Sequence, residues 1–395
     1  MNTTWFFNAV GPQLNAYSID PDGAKLRRAA SVELPAWVMY VWPHPSKPLL
    51  YVVSSDGGPT GKPGETHHAS VFRIDPATGA MTQASPPRAL PYRPVHCSLD
   101  ADGRHLLIAF NNPSSVSVHP LDDDGAMGEA IAQPADLDVG IFAHQIITTP
   151  SNRAVILVTR GNDAEKNKSE DPGALKVYGF DDGRLSLRAS IASGDGGGLG
   201  FGPRHLDFHS NARWVYVSVE RQNELHLFEL DEQDALSSDA LFTADALRER
   251  SAMAYGKQLG GAVHVHPNGQ FVYQSNRNND LVEDDSWPVL HGGENSLVVY
   301  AIDASSGEPT PIQHIDTGSI HVRTFSLHPN GRLLIAATIT PVPVREESGD
   351  IRLRPAAILV YRVGDDGRLA LARTYEVDTR GTVMWWSGIL SLPAD

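Results

Sequence analysis

The chain is poor in cysteine and in long apolar runs. Cys97 is its single cysteine among 395 residues, so no intrachain disulfide can form, and the composition suits a reducing compartment. No apolar run approaches the ~18 residues that a membrane-spanning helix needs. The opening residues MNTTWFFNAV carry no basic stretch followed by an apolar core, which argues against a signal peptide. We therefore expect a cytoplasmic protein without a membrane partner.

Positive charge is also scarce. Lysine and arginine total 32 against 47 aspartates and glutamates, which gives a formal net charge of −15. This balance argues against nucleic acid and anionic membranes as partners. It leaves an anionic small molecule open, because a local cluster of arginines overrides the global sign. Helical periodicity is nearly absent, and residues 245–259 are the best candidate for one short helix.

Turns and short strands are abundant instead, with 35 glycines and 28 prolines. A turn between two apolar strands recurs six times, at intervals of 49 to 62 residues. The anchor residues of this unit are His44, Asp100, Thr149, His209, His266 and His328. A second turn, rich in Asp and Gly, recurs seven times between Asp20 and Asp365.

The anchor turn occurs six times and the second turn seven times, so one repeat lacks an anchor turn. This mismatch indicates a closed ring in which the two ends of the chain form one blade. The C-terminal TVMWWSGIL would supply the last inner strand, and the N-terminal WFFNAV and LNAYSID would supply outer strands of the same blade. We predict an all-β, seven-bladed β-propeller with four antiparallel strands per blade, formed by a single domain over residues 1–395. Two β-sandwiches would not explain the even period.

Polar residues replace apolar ones at one end of the predicted strands. Since strand side chains alternate, the residue five positions before each anchor should share the blade-packing face. These residues are Met39, Val95, His144, Arg204, Gly261 and Arg323. The residues eleven positions after each anchor end the second strands, and they are Ser55, Asn111, Arg160, Glu220, Arg277 and Ile339. The long loops 55–69, 161–173, 278–294 and 340–355 leave from the same mouth, which predicts a binding site there.

Four arginines surround one glutamate and one histidine in this predicted site. A single Arg–Glu pair in a propeller is as typical of an inter-blade salt bridge as of a functional site. The excess of buried positive charge implies an anion that the chain does not supply, and guanidinium groups bind carboxylate or phosphate well. We therefore predict that Arg160 and Arg323 bind an anionic substrate. His96 and His205 are further candidates for substrate binding, although packed strand histidines have the same pattern.

No cofactor or metal is expected. The sixteen histidines show no HExxH or similar metal-ligand spacing. The acidic run Glu283, Asp284 and Asp285 could hold calcium, but its spacing is not that of an EF-hand loop. The glycine-rich GDGGGLGFGPRH follows no strand–helix plan, and the chain has no GxSxG elbow.

Three segments carry a family resemblance: GPRHLDFHSNARWVYVSVE, GAVHVHPNGQFVYQSNR and RTFSLHPNGRLLIAA. They resemble the lactonase-type seven-bladed propellers, a family that includes propeller 6-phosphogluconolactonases and the fungal 3-carboxy-cis,cis-muconate lactonizing enzyme. The resemblance covers essentially the whole chain. It is most specific at GPRH with a glutamate sixteen residues after the arginine, and at SNR. It implies that His144, Arg204, Glu220 and Arg277 are catalytic, and the strand register selects the same four residues.

The resemblance implies a hydrolase that opens a sugar-derived or carboxylated lactone. Either His144 or Glu220 could be the base. Nearby arginines favour the ionised carboxylate and make it a weak base, so we favour His144. A muconate-type lactonizing enzyme, a cycloisomerase, would need the same arginines and remains the alternative. A non-catalytic propeller that binds a ligand or protein is a third hypothesis, which the polar cluster disfavours. Because a closed ring exposes no sheet edge, we expect a monomer.

Overall fold

The computed structural model describes residues 3–58, 62–284, 287–318, 320–346 and 348–393. Its regular structure is almost entirely β-strand. The first ten strands are β1 (Thr3–Val10), β2 (Gln13–Asp20), β3 (Lys25–Glu33), β4 (Trp37–Pro43), β5 (Leu49–Ser55), β6 (His67–Ile74), β7 (Met81–Ala89), β8 (Pro94–Leu99), β9 (His105–Asn111) and β10 (Ser114–Pro120). The next ten are β11 (Ala143–Thr148), β12 (Ala154–Thr159), β13 (Ala174–Asp181), β14 (Arg184–Ile191), β15 (Pro203–Phe208), β16 (Trp214–Val219), β17 (Glu224–Glu229), β18 (Phe242–Asp245), β19 (Leu259–Val265) and β20 (Phe271–Arg277). The last are β21 (Leu281–Asp284), β22 (Trp287–Leu290), β23 (Ser296–Ile302), β24 (Pro309–Asp316), β25 (Val322–Leu327), β26 (Leu333–Thr338), β27 (Val342–Arg345), β28 (Ile351–Arg354), β29 (Ala356–Val363), β30 (Leu369–Val377) and β31 (Met384–Leu392).

These strands form the seven antiparallel blades of a propeller, as predicted. From the inner strand outward, the blades are β31-β1-β2-β3, β4-β5-β6-β7, β8-β9-β10, β11-β12-β13-β14, β15-β16-β17-β18, β19-β20-β23-β24 and β25-β26-β29-β30. Six of them have the predicted four strands. In the blade that begins with β8, the described chain continues past β10 as irregular backbone, joined to the sheet by an isolated bridge between Leu121 and Met127.

The ring closes where the prediction placed the closure. β31 pairs antiparallel with β1, with Trp5 opposite Leu390 and Phe7 opposite Gly388. β31 also packs against the inner strands β4 and β25 on either side. The blade that joins the two ends of the chain therefore holds the inner ring together without an open edge.

The repeated anchor turn has a structural role between blades. Nδ1 of His209 accepts a hydrogen bond from the Asn211 backbone N–H, and Nε2 lies 2.8 Å from the carbonyl oxygen of Gly269 in the next blade's turn. Gly269 has φ +71°, where a side chain would be strained and would also meet the His209 ring. His266 repeats the contact to Gly331. Three of the four anchor histidines, His44, His209 and His266, thus contact a glycine carbonyl oxygen in the turn of the next blade.

The region predicted to hold one short helix contains a single 3₁₀ turn, Arg250–Ala254. Two of the predicted long loops are partly ordered as hairpins, β21–β22 and β27–β28, and these hairpins contact each other. Within the described residues, no helix is long and apolar enough to cross a membrane.

Candidate active site

A β-bulge lies near the start of every inner strand, at the row of residues that the sequence register selected. In β11 the pairing register shifts between Ala143 and Gln145, which leaves His144 out of the ladder. The same shift isolates Arg204 in β15, Arg323 in β25 and Val95 in β8. A bulge re-aims the extra residue, and these bulges direct four blades toward one cavity. The simple alternation assumed for this row is therefore wrong at the bulge, although the row itself is the right one.

The carboxylate of Glu220 is the centre of the site. It directly follows β16, and its side chain is 2% exposed. Its Oε1 accepts a hydrogen bond from Arg204 Nη1 at 2.8 Å, and Arg160 Nε donates to Oε2. Arg277 Nη2 also pairs with Oε1. With both oxygens engaged by three guanidinium groups from three blades, Glu220 fixes the arginines and is poorly placed to take a proton.

Arg277 makes two further contacts in addition to its ion pair with Glu220. Its Nε donates to the carbonyl oxygen of Gly260, and its Nη1 lies 2.6 Å from Nε2 of His321. Burial first, and then the charge of Arg277, lowers the pKa of His321 well below its usual value, so the ring is neutral and accepts this hydrogen bond. Arg277 does not line the cavity that holds the other site residues. Its contact with the site residues is therefore the ion pair with Glu220.

His144 lines the same cavity and forms no ion pair with the described residues. Its side chain is buried, and its Nδ1 has no hydrogen-bond partner among the described residues. The ring stacks on Phe142, with centroids 6.5 Å apart and an interplanar angle of 15°. Burial first, and then the positive charge of Arg204, lowers the pKa of His144 well below 6.5. The imidazole is therefore neutral near pH 7 and able to accept a proton.

The cavity has a volume of about 320 Å³ and lies between the inner-strand bulges and the 55–69 loop, which contributes Lys62 and Pro63. Its charged lining includes Arg93, Arg160, Arg204, Arg323 and Glu220. Such a volume lies at the lower end of the range for small-molecule sites. Because one carboxylate faces several guanidinium groups, the cavity suits an anion.

The structure does not bring His96 and His205 to this cavity, which corrects their prediction as substrate-binding residues. His96 is fully buried, and its ring packs 4.1 Å from that of Tyr40. His205 contacts the His144 ring, with centroids 5.0 Å apart, but lines a second cavity on the far side. The His96 and His205 rings also contact each other, with centroids 6.1 Å apart.

The second cavity, about 500 Å³, opens at the opposite mouth. Its lining includes the aromatic side chains of Trp42, Trp386 and Phe208, and none of its lining residues is an arginine or lysine. Its polar groups include His264, whose Nδ1 lies 3.6 Å from Asp207 Oδ2. The larger cavity thus lacks the convergent charge that the smaller one has, which makes the smaller one the candidate site.

No group of three or more His, Cys, Asp or Glu side chains lies close enough to hold a metal ion in the part of the chain that the structure describes. Of the acidic run considered for calcium, Asp285 falls outside the described residues. Cys97 is buried in the core, where burial raises the pKa of its thiol.

Three residues of the site were missed by sequence reasoning: Arg93, His321 and Trp385. Arg93 lies two residues before Val95, and His321 lies two residues before Arg323. Counting two positions further from the anchor turns, toward the mouth, would have identified both residues. Trp385 lies where β31 departs from the ladder with β1, between Met384 and Ser387. It is the bulge residue of the closing blade, which has no anchor turn from which to count.

Comparison with known proteins agrees with this architecture. Residues 5–378 match the family model described as "Lactonase, 7-bladed beta-propeller". The chain is 29% identical over 341 residues to a 6-phosphogluconolactonase of Pectobacterium atrosepticum, covering 82% of this chain and 92% of that protein. It is 24% identical over 345 residues to the Bacillus subtilis 6-phosphogluconolactonase, covering 84% and 82%.

Among solved structures, the periplasmic gluconolactonase of Pseudomonas aeruginosa superposes with a TM-score of 0.69 at 20% identity. The match covers 99% of this chain and 100% of that one. At this identity the likeness concerns the fold.

Proposed function

Because the chain belongs to the lactonase family of seven-bladed β-propellers, we propose that its Arg/His/Glu cavity hydrolyses an anionic, sugar-derived lactone, as its 6-phosphogluconolactonase relatives are named for doing. One observation supports this most strongly. A neutral, unpaired His144 shares one cavity with guanidinium groups that a buried carboxylate holds in place. Lactone hydrolysis needs a base for water and a cation for the oxyanion, and the cavity offers both.

In the proposed reaction, water attacks the lactone carbonyl carbon while the His144 imidazole takes a proton from it. The carbonyl π electrons move to oxygen, and Arg204 stabilises the oxyanion. When the tetrahedral intermediate collapses, the ring C–O bond breaks and the imidazolium returns its proton to the departing alkoxide oxygen. The product is an open-chain hydroxy acid, which ionises in solvent. The lowered pKa of His144 makes its protonated form a strong acid for the second step.

Arg160, Arg204 and Arg277 serve this reaction through Glu220. Without the carboxylate, three guanidinium groups would repel each other in a buried space. Arg160 and Arg204 both contact Glu220 and line the cavity, and of these two it is Arg204 whose charge lowers the pKa of His144. This geometry favours His144 over Glu220 as the base, since both Glu220 oxygens already accept hydrogen bonds from arginine.

A panel of lactones tests the proposal. Proton release would be followed with a phosphorylated aldonolactone, a plain aldonolactone and a carboxymuconolactone, each with and without EDTA. In H₂¹⁸O, hydrolysis places one ¹⁸O in the product carboxylate. A lactonizing enzyme running in reverse would instead yield an unsaturated diacid that absorbs in the ultraviolet and carries no ¹⁸O. Turnover with ¹⁸O incorporation supports the lactonase, the diacid supports the cycloisomerase, and no turnover of any lactone contradicts both.

The lowered pKa of His144 predicts an unusual pH profile. The neutral ring is the active form, so activity is lost only as pH falls through the pKa of the enzyme–substrate complex. Burial, the main cause of the shift, persists when substrate is bound. We expect kcat to stay level from pH 7.5 to below 6.5 and to fall only at more acidic pH. The measurement is kcat by pH-stat at saturating lactone, because protonation of a substrate phosphate near pH ~6 would affect KM. Loss of half the kcat near pH 6.5 would contradict the assignment.

Several wider predictions accompany this proposal. We propose that residues 1–395 work as one enzyme unit, as a monomer without a nucleic acid or membrane partner. The single buried thiol is compatible with the cytoplasm. Sedimentation at micromolar concentration and cell fractionation test the oligomeric state and the compartment.

A further inference from the structure

Arg93 and Arg323 are two arginines of the cavity that lie outside the Glu220 cluster. Arg93 is 7% exposed, and its Nε and Nη2 donate to the carbonyl oxygen of Gly58 at 2.9 and 2.6 Å. Its Nη1 donates to Oδ1 of Asn111 at 3.1 Å. These acceptors are neutral. Among the described residues, no carboxylate lies within ion-pair distance of Arg93, so its charge is uncompensated.

Arg323 is the second such cation. Its guanidinium carbon lies 3.6 Å from the ring centroid of Trp385, so the group rests on the indole face. No described carboxylate pairs with it either. A guanidinium supported on an aromatic face keeps its N–H edge available for an oxyanion.

The Arg93 and Arg323 guanidinium groups line one cavity. Arg93, Arg323 and Trp385 line the same cavity as His144 and Arg204. Burial first, and then the charges of Arg204 and Arg93, lowers the pKa of Arg323. Burial also lowers the pKa of Arg93, to about 10. Keeping these buried cations close together is unfavourable, and a bound anion would relieve the repulsion.

We propose that Arg93 and Arg323, with Trp385 as support, form an oxyanion subsite that is separate from the Glu220 cluster and holds the charged substituent of the lactone. Its ligand is a phosphate monoester, whose charge of about −1.5 to −2 matches two unpaired cations and whose three oxygens can reach both. This inference rests on the proposed function. The Glu220 cluster and His144 then act on the ester, and Arg93 and Arg323 determine which lactone is accepted.

The test compares a phosphorylated aldonolactone with its unphosphorylated counterpart in wild type, Arg93→Gln, Arg323→Met and Arg221→Met. Arg221 is a buried arginine that is paired with Glu170 and lies outside the cavity, so Arg221→Met is the matched control. We expect kcat/KM for the phosphorylated lactone to fall about 10- to 100-fold in each subsite variant, as for loss of a charged hydrogen bond. The unphosphorylated lactone should change less than about threefold, and the control should preserve the wild-type ratio between the two substrates.

Binding of inorganic phosphate, measured by calorimetry, provides a readout that does not depend on turnover. Wild type and Arg221→Met should bind phosphate, and Arg323→Met should bind it at least about tenfold more weakly. If wild type hydrolyses no lactone yet shows this binding pattern, the proposed function fails and the subsite stands. Equal losses for both lactones, a wild-type preference for a carboxylated lactone, or phosphate binding unchanged in Arg323→Met would each overturn the subsite. Arg323→Met keeps the test valid if Arg93→Gln does not fold.

Discussion

Replacing His144 with glutamine should lower kcat by about 10²- to 10⁴-fold, the range for loss of a general base. Glutamine nearly keeps the volume of the ring and can hydrogen bond, but it cannot take a proton from water. KM should change by less than about threefold, because the arginines that hold the anion are untouched. Folding should be preserved, since the buried imidazole is neutral and its Nδ1 makes no hydrogen bond that would be lost. The measurement is steady-state proton release with thermal unfolding of the same samples.

His264→Gln is the matched control for that experiment. His264 also lies on an inner strand, but it lines the opposite cavity beside Asp207. Its kcat should stay within about threefold of wild type. If His144→Gln keeps more than a tenth of the wild-type kcat, His144 is not the base.

Replacing Glu220 with glutamine should lower the free energy of unfolding by about 3–5 kcal/mol, as expected when one partner of a buried ion pair is removed. The effect is large because three guanidinium groups converge on this carboxylate, which is 2% exposed. Urea denaturation at pH 7.5 measures it. Added inorganic phosphate should stabilise the variant more than the wild type, because an anion that binds only the folded state restores the missing negative charge.

An exposed ion pair gives the comparison for Glu220. Glu229 pairs with Arg213, and their side chains are 34% and 63% exposed. Glu229→Gln should therefore change the free energy of unfolding by no more than about 1 kcal/mol. If Glu220→Gln is equally mild and loses only activity, Glu220 is a catalytic group and not the structural centre of the cluster.

The propeller and its closure could be predicted because they follow from local chemistry. The anchor turns use residues that bond their own backbone, and three of them place a glycine at positive φ, so the turns leave a mark at a regular interval. The closing blade could be predicted from the numbers of the two turn types. The anchor turn occurs six times and the Asp- and Gly-rich turn seven times, so one blade must be built from both ends of the chain. The missing fourth strand after β10 was not predictable, because the segment that follows has turn residues typical of the other blades.

The sequence predicted which row of strand positions holds the candidate site, but not the contacts that these residues make. The register placed His144, Arg204 and Arg323 correctly because the bulge recurs at the same position in each inner strand. Hydrogen-bond partners across blades cannot be read from one strand. The saturation of Glu220 by three arginines and the position of His205 at the second cavity therefore required the structure. Arg93 and Trp385 were missed because neither falls in the row that was counted.

The central claim is that Arg204 serves the reaction and not only the fold, and the most direct measurement is kcat/KM for the preferred lactone in Arg204→Met against Arg221→Met. Both arginines are buried, belong to the same blade and pair with a glutamate, but Arg204 lines the cavity beside His144 and Arg221 does not. We expect a loss of about 10²- to 10³-fold for Arg204→Met, the range for removal of an oxyanion donor, and a change of less than about fivefold for Arg221→Met. Equal losses in the two variants, or a folded Arg204→Met with nearly full activity, would contradict it.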